Sequence, residues 1–394
     1  LLENIEIPSN VTSIGNYAFY NCRLLATIKI SNSVASIGDY AFNACTSLTA
    51  IKIPYSVKKM GCGVFQQTPY LTTYCEAVTQ PSGWHSNWTN YYRVYWGISE
   101  YFDYNNQFQY IVDGNEIKIT GPSAKNLNSI DIPKKIEDKP VTSIGDFAFG
   151  GCSLLTDISL PNSLLTIGER AFFECNKITS ISIPNSVKTI GFGAFELCTS
   201  LTAIELPYNI TSISGCTFNN CTSLVSITIP SNVTTIGDFA FCYCVSLKIV
   251  TMPNTITSIG KSAFEHCSSL PNIVIPNSVN TIGNGAFYHC NKITSASIPN
   301  SVTIIPDKIF AYCSSLTTIS ISNYTTSIGK NSFESCKNLK SIFIPKSVTV
   351  IGKFAFNDCT SLTIYCETNK EQSGWENGWN SSNRPVVWNY SQSN

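Results

Sequence analysis

Charge is scarce in this chain. Lys and Arg number 25, Asp and Glu also 25, and together they make 13% of 394 residues with a formal net charge of zero. That leaves no basic footprint for nucleic acid and no long-range steering of charged partners. Histidine is nearly absent, with only His85, His266 and His289. Seventeen cysteines occur without a single C-x-x-C pair, so the usual zinc spacings are missing. No run of 18 apolar residues exists, which excludes a membrane-spanning helix. There is no G-x-S-x-G, H-E-x-x-H, Walker loop or Rossmann fingerprint. The chain is therefore expected to be non-enzymatic, to need no cofactor and no metal, and to avoid nucleic acid and membrane insertion. No signal peptide is visible, but Leu1 falls inside a repeat, so the segment reads as a fragment of a longer chain.

What is present is one sentence said many times. The unit C-N-K-I-T-S-I-S-I-P-N-S-V-K-T-I-G-F-G-A-F-E-L runs from Cys175 to Leu197, and Cys198 starts it again. A fixed period of this length marks a solenoid of stacked repeats. Phenylalanine is its firmest column, at Phe19, Phe42 and Phe65 in a first array and from Phe149 to Phe356 in a second. Ile178, Ile181 and Ile183 read as a short strand facing inward, ended by Pro184. Val187 and Ile190 turn inward on the return. Gly191 looks like a site of positive φ, but Ser214 and Pro306 share its column, and proline cannot adopt that conformation. Both suit the start of a helix, so a short helical turn is expected from this column to the next Cys. It should bury Ala194 and Phe195 and turn Glu196 and Leu197 outward. Twelve cysteines occupy one column and Thr68 replaces them once, which suits a ladder of small buried thiols. Adjacent rungs lie about 4.8 Å apart, so disulfides between them are sterically open.

The arrays end alike. Y-C-E, S-G-W and V-x-W recur at Tyr74–Trp96 and Tyr365–Trp388, and all six tryptophans lie there. A solenoid must cover its last apolar rung, so these segments read as aromatic caps. Alternating apolar residues around Asp113-Gly114 predict a hairpin that opens the second array. The expected organisation is an array of three rungs over 1–74, its Trp-rich cap over 75–96, a hairpin linker and opening cap over 97–140, ten rungs over 141–364, and a final cap and tail over 365–394.

With L-x-x-I-x-I-P on the strand and I-G-x-x-A-F-x-x-C on the return, the unit resembles the BspA-like branch of leucine-rich repeats over residues 1–74 and 141–364. The resemblance implies an α/β repeat fold: a right-handed solenoid with a parallel concave sheet and short helical convex turns. It also implies a surface-exposed or secreted adhesion protein that meets a host or neighbouring-cell surface or matrix protein. It brings no catalytic or binding residues with it. On the concave face the outward column is mostly hydroxyl, from Ser159 and Ser182 to Ser320, so a plain solvated sheet accounts for most of it. Ile249, Pro271 and Val274, clustered in neighbouring rungs, and Phe343 further along stand against that and are the candidate ligand contacts, although single exposed apolar residues are common. A rival reading has Trp84, Trp88 and Tyr92 stacking on a glycan or cell-wall polymer; the pattern at both array ends favours a role as cap core. A passive surface spacer is the third reading. His266 and His289 share a column, but its other occupants, such as Asn21, Leu197 and Tyr243, make it a variable exposed face rather than a metal site.

Overall fold

The computed structural model describes residues 2–89, 93–97, 102–104, 108–122 and 125–391. Two compact units divide between Lys177 and Ile178, inside the second run of repeats. Each is a parallel β-solenoid, and no helix occurs among the described residues.

Most rungs contribute two short strands, and the rung of Val274 keeps only the second. The first row holds strands such as Ser180–Ser182 and Ala203–Glu205, paired in parallel with Ile181 beside Ile204. The second row holds strands such as Ser212–Ile213 and Thr235–Ile236. A shift of 23 residues places each residue on its counterpart, so identical side chains stack. Phe218, Phe241 and Phe264 lie face to face with centroids 5.4 and 5.2 Å apart. In the first unit Phe19 and Phe42 do the same at 5.1 Å. The inward set expected for the rung of Cys175–Leu197 is buried as read: Ile178, Ile181, Ile183, Val187, Ile190, Ala194 and Phe195.

The expected convex helix is replaced by hydrogen-bonded turns. The N–H groups of Gly193, Phe195 and Leu197 donate to Gly215, Thr217 and Asn219 of the next rung at 2.8–2.9 Å, while Ala194, Glu196 and Cys198 close turns within their own rung. Gly193 and Leu197 have φ of +60 and +62. Two left-handed residues per rung interrupt any right-handed helix, and the amides they turn outward become a third ladder between rungs. Glu196 is also corrected. Only 9% exposed, it accepts from Asn219 Nδ2 at 3.0 Å. The glycine column does lack positive φ, as proline predicted, and several of its glycines are crowded by the preceding rung. A Cβ on Gly237 would lie 2.5 Å from the Gly215 nitrogen.

The cysteine column is a ladder of free thiols. Cys244 Sγ donates to the Phe218 carbonyl and Cys267 Sγ to that of Phe241, each at 3.2 Å. Burial pushes the Cys313 thiol up to about 12. The thiolate is the reactive form, so the ladder is chemically quiet.

In the first unit the hairpin pairs Phe108–Asp113 with Glu116–Pro122 and opens the second run, with Ile117 beside Val141. That run's first strand is Ser129–Asp131, paired with Asp157–Ser159, inside the segment read as linker. A small hairpin pairs Lys135–Ile136 with Lys139–Ile144, and its turn residues Glu137 and Asp138 both have positive φ.

Candidate functional site

Strand alternation turns every second residue of the first row away from the core. In the first unit this outer face is covered around Ala50. Ala50 is 0% exposed and forms one apolar cluster with Tyr74 and the hairpin's Ile111. Gln109 Nε2 donates to the Ala26 carbonyl at 2.6 Å. Charges there are paired between rungs: Lys29 with Glu6 at 3.2 Å and Lys52 with Glu76 at 2.7 Å.

In the second unit the same face is open. A hollow of about 750 Å³ lies over three consecutive rungs, lined by Ser182, Ala203, Glu205, Tyr208, Ser226 and Thr228 among others. Glu205 has Ser182 beside it on its strand ladder and makes no ion pair among the described residues. Tyr208, more than half exposed, stands where the reference rung has Asn185. Sequence reading described this outward column but missed the hollow. Its signal is small size: Ser180, Ala203 and Ser226 share a column that then gives way to Ile249.

Of the expected contacts, Ile249 is 60% and Val274 80% exposed, in neighbouring rungs and diagonal to one another. Pro271 is exposed too, and it also acts through the backbone. Lys248 N–H donates to the Val225 carbonyl and Thr294 N–H to that of Pro271; Pro271 itself has no N–H to continue the series. Regular strand structure lapses over 271–276, so Val274 stands at a gap in the ladder. Phe343 is only half-buried rather than open. Tyr390 of the tail meets its ring at a centroid distance of 6.2 Å, which removes it from the free face.

The stacking reading of the caps meets buried rings. Trp84 and Trp88 are 5% and 2% exposed, and Trp84 Nε1 donates to the Val57 carbonyl at 3.0 Å. Rings so enclosed offer no face to a sugar, so these two are packing residues. Tyr92 lies outside the described residues. His266 and His289 stack in a four-ring column, Tyr243–His266–His289–Tyr312, with centroids 4.4–4.6 Å apart. The two imidazole planes are 10° from parallel, so their lone pairs run side by side instead of converging on one ion.

His289 carries a pH prediction. Its burial, and then the neighbouring His266, hold it below the usual imidazole value. An imidazole depressed in the folded state contributes stability that is present above about pH 6.5 and lost as pH falls below it, because the unfolded chain takes the proton first. The melting temperature should therefore drop more between pH 7.5 and 5.5 for the parent than for His289→Tyr, which continues the ring column. Equal drops would show that His289 is not responsible.

A family signature, the BspA type leucine rich repeat region, matches in six copies over residues 1–79, 122–248 and 234–363. The chain belongs to this family. Among solved structures, this BspA-type chain is similar to a leucine-rich repeat protein from Bacteroides ovatus ATCC 8483. The two are 26% identical, over 95% of this chain and 82% of that one, with a TM-score of 0.51. It is also similar to a leucine rich cell surface protein from Faecalibacterium prausnitzii A2-165, 26% identical over 75% of this chain and 99% of that one, at a TM-score of 0.46. No curated protein matches the BspA-type chain.

Proposed function

We propose that this BspA-type protein is a non-enzymatic binding and adhesion protein, secreted or displayed at a cell surface. It presents the first-row sheet face of its second unit to a surface or matrix protein of a host or neighbouring cell. The observation that carries the reading is the exposure of Ile249 and Val274 in adjacent rungs of a mostly hydroxyl-lined face. Exposed apolar groups inside a polar sheet favour contact with a partner, and the open hollow lies on the rungs just before them. Membership of a repeat family without shared catalytic residues supports a binding role, and the BspA-type membership supports the location. The double variant Ile249→Lys, Val274→Lys should reduce attachment of protein-coated beads to epithelial monolayers or immobilised matrix by about tenfold or more. Its melting temperature should stay at the parent value, because both side chains are solvent-facing. Undiminished attachment would overturn the reading.

A further inference from the structure

Resting on that reading, the geometry points to an extended β-segment of a protein partner as the occupant of the hollow over Ala203. The segment sets an aliphatic side chain against Ala203 and a Lys or Arg, two residues along the same strand face, against Glu205.

The chain contains its own precedent. Ala50 follows Phe42 by eight residues and Ala203 follows Phe195 by eight, so the two alanines hold one position of the repeat. Ala50 is sealed by Ile111, an aliphatic residue on the strand Phe108–Asp113. That strand already pairs with neighbours on both sides, so it meets Ala50 through side chains and not by joining the sheet. Small residues in this column thus seat an aliphatic group delivered by a β-strand. Ser180, Ala203 and Ser226 repeat the same small surface in the second unit, and all three are exposed among the described residues.

Charge supplies the second half. In the first unit the column of Glu205 includes Lys29 and Lys52, each paired with a carboxylate of a neighbouring rung. Among the described residues Glu205 has no such cation. A carboxylate beside a partly apolar hollow favours an incoming cation, and more so as docking removes water. Ala203 and Glu205 are alternate residues of one strand, about 6.6 Å apart. That is the spacing of residues i and i+2 on one face of an extended partner. A saccharide could use the hydroxyls and the Tyr208 ring instead, but it would leave the Ala50 parallel without meaning.

The test is a selection of random nonapeptides displayed on phage against the immobilised full chain, run beside Ala203→Trp and Glu205→Lys. Both substitutions lie on an exposed face, and unchanged melting curves verify folding. Enriched peptides should carry an aliphatic residue and a basic residue two positions away. As synthetic peptides they should bind Ala203→Trp at least about tenfold more weakly. Selection on Glu205→Lys should exchange the basic residue for an acidic one. Failure of enrichment, enrichment without this spacing, or equal binding to Ala203→Trp would overturn the inference. So would binding to an oligosaccharide array that is lost in Tyr208→Ala. If Ile249→Lys, Val274→Lys abolishes attachment while the selection fails, the adhesion reading stands and this inference alone falls. If neither pair of variants changes anything, both fall.

Discussion

Phe241→Ala should destabilise the second unit by about 3–5 kcal/mol, the usual cost of truncating a buried phenylalanine. Phe241 is fully buried and stacks between Phe218 and Phe264, so the change also removes two ring pairs that contribute beyond area. Against a total of roughly 5–15 kcal/mol for a domain, that is a large fraction, and the thermal midpoint should fall by on the order of 10 °C. The position matters as much as the size. Stability in a solenoid is close to a sum over rungs and their interfaces, so a void in the middle cuts the stack. Hydrogen exchange should show the amides of 212–264 losing protection on both sides of the substitution. Tyr208→Ala, on the exposed face, should change the midpoint by no more than a degree or two. A Phe241→Ala loss as small as that would mean the ring column does not carry the stack.

How much of this was readable in advance depends on whether a column is kept by one physical demand or by several. The phenylalanine column has one, filling the core, and shows a single residue type. The hairpin at Asp113-Gly114 was readable because its turn needs residues tolerant of positive φ, and Gly114 adopts φ +59. The two left-handed columns of each rung were not readable. Leu197, Tyr243, His266 and Ala44 all sit at positive φ without the glycine that normally marks it. Hydrogen bonds to the next rung and stacking of the outward side chains offset the strain, roughly 1–2 kcal/mol per residue, so selection for glycine is relaxed and the signal vanishes. The same hidden geometry made the return look like a helix. Ile249 and Val274 were readable because alternation alone turns them outward. The hollow beside them was not, because it arises from small side chains on three rungs and no single residue announces it.

The tryptophans test the caps from the other end. Trp379 meets Phe356 edge-on, with centroids 5.9 Å apart, and donates from Nε1 to Glu371 at 2.9 Å. Trp375 lies 4.8 Å from it and donates to the Val348 carbonyl at 3.2 Å. The first cap repeats the plan with Trp88 on Phe65 and Trp84 bonded to Val57. Trp379→Ala should cost about 3–5 kcal/mol in the rungs it covers, because it uncovers the last ring of the phenylalanine column and leaves the Glu371 carboxylate without its donor. Unlike Phe241→Ala, the loss should be graded along the chain. Protection should fall first over 341–391 and hold nearer the middle of the unit, and limited proteolysis should trim the C-terminal rungs before cutting elsewhere. Trp379→Phe should recover part of the stability by filling the space without the N–H. The pair of variants also separates cap from ligand site. A stacking residue for a saccharide would lose binding on substitution and keep its melting temperature; a cap residue loses the melting temperature. An unchanged melting curve for Trp379→Ala would return the aromatic ends to the list of binding surfaces, and the phenylalanine column would then need another explanation for how it ends against water.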